Sequence, residues 1–282
     1  MGKEGNSMNI GVKIRLSKII HPKLNRTLIV AMDHGLMMGT IPGLVDFRET
    51  FRQVRAGGAS AVILTPGLIR ACQDLLLGRD SPSLVFRLDW TNLLRKTLPP
   101  KNGYETHIAT PEEAISYGAD AAITYLFVGY NRDEAEVRNI ENVARAVMQC
   151  HRLGLPLIIE PMARGGRVQQ DKYNPEYVRL HVRMAAELGA DLIKTDYTGD
   201  PDTFHQAIKG CPTPVVIAGG PKLKTEEDAL RMASEALEAG AIGVVYGRNV
   251  IQAKNPQKMT RALRALILEG ATLEEAIKIL RD

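Results

Sequence analysis

Short runs of consecutive apolar residues recur along the chain, separated by longer stretches in which apolar side chains return every three or four positions. The runs are Thr27–Asp33, Ala61–Thr65, Leu84–Arg87, Ala121–Phe127, Leu157–Glu160, Leu192–Lys194, Val215–Ala218 and Gly243–Tyr246, eight in all. Being continuous in hydrophobicity, not alternating, they predict strands covered on both faces, as in a parallel sheet. The stretches between them predict amphipathic helices at about 46–57, 111–118, 134–153, 174–189, 202–209, 225–239 and 256–269. Strand and helix alternate throughout.

Several helix-to-strand joints share one chemistry: Ala56-Gly-Gly-Ala-Ser60, Tyr117-Gly-Ala-Asp120, Leu188-Gly-Ala-Asp191 and Ala239-Gly-Ala-Ile242. Glycine ends each helix in a left-handed turn, and a small residue lets the next strand start close by. Eight such units in 282 residues predict an α/β fold, a single (β/α)8 TIM barrel. An open doubly wound sheet is the competing architecture, but Asp33-His-Gly-Leu-Met-Met-Gly39 after the first strand lacks its Gly-x-Gly-x-x-Gly phosphate fingerprint. Residues 1–26 read as a polar, partly helical N-terminal extension packing on the barrel of 27–282, and 272–281 as a short terminal helix with a plausible cap.

Apolar residues at 45% and charged residues at 24% give ample material for a folded core, so disorder is not expected. The net charge of +4 is spread along the chain and argues against nucleic acid as a partner. No apolar stretch approaches the ~20 residues that span a bilayer, and the opening Met-Gly-Lys-Glu-Gly-Asn-Ser-Met lacks a secretion signal. A cytoplasmic protein without membrane partners is the expectation. Cys72, Cys150 and Cys211 have no metal-site or redox spacing, and no His-x-x-x-His or carboxylate cluster argues for a metal.

In such barrels the loops after the strands build the active site, so polar residues at strand ends carry the information. These are Asp33 with His34, Arg87, Tyr125, Glu160 and Lys194. A lysine so close to the core must be paired or held neutral by desolvation, and a neutral amine is what imine chemistry requires. The plainer reading is a structural lysine paired with Asp33, Glu160 or Asp196. Asp196 lies two residues on and would share the strand face if the strand extends that far. His34 should point away on an extended strand and serve as scaffold, while His107 and His151 read as solvated. After the last two strands, Ala218-Gly-Gly-Pro-Lys222 and Gly247-Arg-Asn-Val250 suit a substrate phosphate: Gly219, Gly220 and Gly247 expose backbone N–H groups and Arg248 offers a forked donor.

The segments Val30–Gly35, Ile193–Asp200, Val215–Lys222 and Gly247–Gln252, in this order, resemble the archaeal-type class I aldolases. That group includes fructose-bisphosphate aldolase, 2-amino-3,7-dideoxy-D-threo-hept-6-ulosonate synthase and the thiolase acting on phosphorylated autoinducer-2. The resemblance runs from about residue 13 to 270, and the Ile193–Lys222 stretch is closest to the heptulosonate synthase branch. It implies a TIM barrel in ring-like homo-oligomers such as decamers, no cofactor, Lys194 as the Schiff-base lysine and Asp33 as a catalytic carboxylate. It also places Gly219, Gly220, Gly247 and Arg248 on the substrate phosphate. One departure stands out. Where the aldolase and synthase members carry a catalytic tyrosine in a Tyr-Pro-Arg-Gly context, this chain has Met162-Ala-Arg-Gly165. The thiolase branch also lacks that tyrosine. By strand position, Tyr125 and Glu160 are the candidates for its proton-transfer role.

The expected function is a class I, metal-independent aldolase or related carbon–carbon lyase or transferase. Its substrate is a phosphorylated ketose or ketone, such as fructose 1,6-bisphosphate or a deoxy-ketose phosphate. A thiolase of the autoinducer-2-phosphate kind, a sugar-phosphate isomerase with a purely electrostatic Lys194, and a non-catalytic phosphosugar-binding barrel are the alternatives.

Overall fold

A computed structural model describes residues 9–168 and 171–281, so the first eight residues of the expected N-terminal extension lie outside it. The strands are β1 (Thr27–Ala31), β2 (Ala61–Leu64), β3 (Ser83–Arg87), β4 (Asp89–Thr91), β5 (Glu105–His107), β6 (Ala121–Val128), β7 (Leu157–Ala163), β8 (Leu192–Thr195), β9 (Val215–Ala218) and β10 (Gly243–Tyr246). All but β4 and β5 pair in parallel around a closed ring in the order β1-β2-β3-β6-β7-β8-β9-β10, and β10 returns to β1 with Thr27 opposite Gly243. This is the (β/α)8 barrel that the run-and-period pattern predicts. β4 and β5 form a small antiparallel hairpin beside it, with Asp89 opposite His107.

The helices are α1 (Ile10–Ile19), α2 (Gly35–Met38), α3 (Phe47–Gly57), α4 (Pro66–Ala71), α5 (Pro111–Ser116), α6 (Asp133–Leu153), α7 (Pro175–Leu188), α8 (Pro201–Ile208), α9 (Glu226–Glu238), α10 (Arg248–Ile251), α11 (Pro256–Leu268) and α12 (Leu273–Arg281). Side-chain caps set the starts of several of them. Thr110 and Thr225 form capping boxes with Glu113 and Asp228, and Asn174, Asp200 and Asn255 cap helices that begin with proline. The glycines at the repeated joints, Gly58, Gly118, Gly189 and Gly240, all have left-handed φ. The elements the pattern did not predict are α2, α4, α10 and the hairpin, each too short to display a period.

Side-chain direction along the strands sorts the interior into two layers. Leu28, Val30, Val62, Leu64, Leu84, Phe86, Ile159, Ile193 and Val244 point outward and pack under the helices. Ile29, Ala31, Ile63, Val85, Ile123, Ile158, Leu192, Val216 and Val245 point inward and fill the barrel. α1 closes the lower end: Ile19 joins the inner layer, Arg15 donates to the carbonyl of Gly154 at 2.8 Å, and Lys18 pairs with Asp120 at 2.8 Å. No helix among the described residues is long and apolar enough to cross a membrane.

Candidate active site

On five of the strands the inward face turns polar two residues above an apolar position. Val85 is followed by Arg87, Ile123 by Tyr125, Ile158 by Glu160 and Leu192 by Lys194, while Ala31 is followed by Asp33 just past the end of β1. These side chains meet at the upper end of the barrel beneath a cavity of about 380 Å³.

Arg87 is the hub. Fully buried, it donates from Nε to Asp33 Oδ2 at 2.8 Å, from Nη1 to Asp89 Oδ1 at 3.2 Å and from Nη2 to Glu160 Oε2 at 2.7 Å. The Tyr125 ring covers the guanidinium, with its centroid 4.0 Å from Cζ. Glu160 uses its other oxygen, Oε1, on Lys194 Nζ at 2.6 Å. One carboxylate thus bridges two buried cations, and each charge in the cluster has a partner, the condition under which burying it is tolerable.

Burial alone would push the Asp33 carboxyl up, but the charges of Arg87 and Lys194 and the hydrogen bond from Arg87 outweigh it and hold the group below its ordinary value. Asp33 is therefore an anion at neutral pH. Burial pushes the Tyr125 phenol well above its usual range, so it keeps its proton.

Lys194 is the last residue but one of β8 and lines the cavity with 6% of its surface accessible. Of the three partners open to it from the sequence, the structure selects Glu160. Asp196 does not supply that contact, because β8 ends at Thr195 and Asp196 pairs instead with Arg164 at 2.9 Å. His34 does not point away. The chain leaves extended geometry after Ala31, His34 adopts helical angles at the start of α2, and its ring lines the cavity wall. A Cβ on Gly247 would lie 2.1 Å from His34 Cε1, so only glycine fits there. Burial lowers the His34 pKa to about 4, leaving it neutral. His107 is not solvated either: it belongs to β5 and meets Thr124 Oγ1 at 3.2 Å.

Gly219 and Gly220 follow β9, Gly247 and Arg248 follow β10, and all four border the cavity. Gly220 sits at φ +63°. Buried Asn249 ties the two loops together: Nδ2 donates to the carbonyl of Gly219 at 2.7 Å, and Oδ1 accepts from Leu223 N at 2.8 Å. Among the described residues, Arg248 Nε is buried without a hydrogen-bond partner.

Sequence reasoning named Arg87 only as a strand end and missed its place at the centre of the cluster. Arg164, Lys172 and Tyr173, from the segment after β7, also border the cavity unforeseen. The inward alternation that places Val85 was the available signal for Arg87, whereas nothing periodic marks the β7 loop.

The chain matches the model of the DeoC/LacD family aldolases over residues 27–253. An uncharacterized aldolase of Saccharolobus solfataricus is 39% identical over 273 residues, covering 96% of this chain and all of that protein. The class 1 fructose-bisphosphate aldolase of Thermoproteus tenax is 34% identical over 268 residues, covering 92% of this chain and 96% of its own. Among solved structures, an archaeal fructose-1,6-bisphosphate aldolase superposes with a TM-score of 0.79 at 32% identity. The match covers 91% of this chain and 99% of that one, whose catalytic lysine is covalently bound to the carbinolamine intermediate of its substrate. The barrel, the cavity at its upper end and these matches have one meaning: the chain belongs to the DeoC/LacD aldolase family and is an enzyme of the class I, Schiff-base-forming kind.

Proposed function

We propose that Lys194 is the Schiff-base lysine of this enzyme and that its substrate is a phosphorylated ketose or ketone, fructose 1,6-bisphosphate or a deoxy-ketose phosphate being representative. The carrying observation is the contact of Lys194 Nζ with Glu160 Oε1 at 2.6 Å beside an accessible cavity. Attack on a carbonyl needs the free amine, and Glu160 is placed to take the ammonium proton. The amine adds to the substrate carbonyl, the carbinolamine loses water, and the protonated imine draws electrons from the carbon–carbon bond that breaks.

Asp33 sits across Arg87 from Glu160 and is an anion, suited to receive the proton of the hydroxyl that becomes the aldehyde oxygen as the carbon–carbon bond breaks. Tyr125, which keeps its proton, donates a hydrogen bond near the reacting carbon in place of the tyrosine replaced by Met162. Gly219, Gly220, Gly247 and Arg248 hold the phosphate, and the unpartnered Arg248 Nε supports an anionic guest. Anchoring there fixes the carbonyl near Lys194 and lowers the entropic barrier. Met162 supports a second reading, transfer of an acyl unit by way of the same Lys194 imine, as a thiolase would require. A cytoplasmic homo-oligomer, ring-like as in the family it resembles, completes the reading.

Borohydride reduction with a panel of phosphorylated ketoses and ketones tests it by mass spectrometry. The expected result is one stable adduct on Lys194; turnover without an adduct, or an adduct on another lysine, overturns the assignment.

A further inference from the structure

The cavity has two unlike walls. One carries Asp33, Glu160, Lys194, Arg164 and Tyr173, and the other is formed by Met37, Met38, Leu93, Leu94 and Met162. The apolar wall belongs to a third hydrophobic cluster, separate from the layer inside the barrel and the layer under the helices. It is built on Met37, Tyr125, Phe127, Tyr130 and Met162, with Met38, Leu93 and Leu94 packed against it. Leu93 and Leu94 arrive on the segment between β4 and β5, a hairpin inserted between β3 and α5.

Ring order says which part of a substrate meets that wall. Counting around the barrel, β9 and β10 stand opposite β3 and β6. A phosphate held by the loops after β9 and β10 therefore sends the rest of its ligand across the mouth, past Lys194, toward the β4–β5 segment and Met162. The part of the reaction that lies there is the second carbonyl compound, which bonds to the carbon next to the imine.

We infer that this wall is the acceptor subsite and that it selects an aldehyde whose carbons beyond the carbonyl carry hydrogen in place of hydroxyl, which narrows the two representative substrates above to the deoxy-ketose phosphate and sets fructose 1,6-bisphosphate aside. The inference rests on the Schiff-base reading proposed above. A sugar aldehyde presents a hydroxyl on each carbon, and against thioethers and leucines those hydroxyls leave water without gaining a partner. Methionine adapts its shape to an alkyl chain of variable outline. Arg95 and Lys96 follow on the same segment and border the cavity at its rim, where Arg95 Nε donates to the carbonyl of Leu98 at 2.8 Å and Lys96 is exposed, so the phosphorylated aldehyde is included in the test as the competing guest. In the bond-forming step the imine first loses a proton from its α carbon to give the enamine. That carbon then forms the new bond to the aldehyde carbon, the aldehyde oxygen takes up a proton, and water hydrolyses the imine to return the lysine amine and the ketone product.

The test uses dihydroxyacetone phosphate as donor with two aldehydes of equal length, propanal and D-glyceraldehyde, plus D-glyceraldehyde 3-phosphate. Borohydride trapping of the donor is read in parallel. The expected result is a Lys194 adduct with the donor and a kcat/KM for propanal about 10- to 100-fold above that for either hydroxylated aldehyde. Met162→Gln keeps the side-chain length and offers a hydrogen-bonding amide, and is expected to lower the propanal preference about tenfold. Should that variant fold poorly, Met38→Gln, at a half-buried position, makes the same comparison. An adduct accompanied by preference for glyceraldehyde or its phosphate, by no acceptor turnover, or by a ratio unmoved in both variants overturns the acceptor subsite and leaves the Schiff base standing. Absence of any adduct overturns both.

Discussion

The lower and upper halves of this barrel are built from the same strands and solve opposite problems. Below, Ile29, Ile63, Val85, Ile123, Ile158 and Leu192 interlock without a polar atom, and their stability comes from apolar area removed from water. Two residues further along, Asp33, Arg87, Glu160 and Lys194 put buried charges against one another, an arrangement in which desolvation offsets much of the attraction. A well-packed hydrophobic replacement would serve folding as well or better. The upper half is therefore shaped by what the charges do to a substrate, and the lower half by what holds the charges in place.

If that division is right, substitutions in the two halves should separate rate from stability. The largest effect is expected for Lys194→Met. Turnover and the borohydride adduct should vanish together, a loss of about four orders of magnitude in kcat/KM, or roughly 5.5 kcal/mol of barrier. Lys194→Arg should do the same, because a guanidinium keeps the charge but cannot form the imine. Thermal stability should change much less, since Glu160 retains its bond to Arg87. An active Lys194→Arg enzyme would refute the role proposed for this residue.

Arg87→Met attacks the other property. It leaves Asp33, Asp89 and Glu160 buried with their common partner gone, and removal of one member of a buried ion cluster costs roughly 3–5 kcal/mol. Denaturant melts should show that loss at pH 7. Arg87→Lys should recover only part of it, because an ammonium lacks the planar fork that reaches three carboxylates at once.

The contrast also explains what could be read in advance. The lower layer announced itself through runs such as Leu157-Ile-Ile, and Lys194 and Glu160 were conspicuous as charges ending such runs. Their pairing was not legible, since Asp33, Glu160 and Asp196 all sat at plausible strand ends and only the exit of the chain after Thr195 turned Asp196 to Arg164. His34 was misread because a strand rule was applied past the point where β1 gives way to α2. The β4–β5 insertion and the segment carrying Arg164, Lys172 and Tyr173 have no period at all, and their side chains are placed by tertiary packing.

A third test uses a buried titratable group outside the site. His181 on α7 is fully buried, both ring nitrogens lack a hydrogen-bond partner among the described residues, and burial, aided by the charge of Arg164, lowers its pKa to about 3. The depressed value means the folded form stays neutral while the unfolded chain takes up a proton below about pH 6.5. Stability is therefore lost as pH falls from about 6.5 toward 3, amounting to roughly 2 kcal/mol at pH 5. His34 contributes in the same direction. Glu105, raised to about 8 chiefly by burial, acts oppositely between its unfolded value and 8. The difference between wild type and His181→Leu isolates the one residue: the variant should lack about 2 kcal/mol of the decline between pH 7 and pH 5, with kcat unchanged.

The smallest effect sharpens the division most. Ile123 lies on β6 one inward position below Tyr125 and beside Arg87 in register, an apolar residue directly under the charges and outside the residues that border the cavity. Ile123→Val removes one methylene, and a cavity of that size costs about 0.5–1.5 kcal/mol. If the lower half is only a support, that cost appears in the denaturation midpoint while kcat, KM and the Lys194 adduct stay at wild-type values. Should kcat fall while the midpoint holds, the inner layer would be setting the spacing of Arg87 and Tyr125 directly. The boundary between support and chemistry would then lie one residue lower on each strand than the polarity of the side chains indicates.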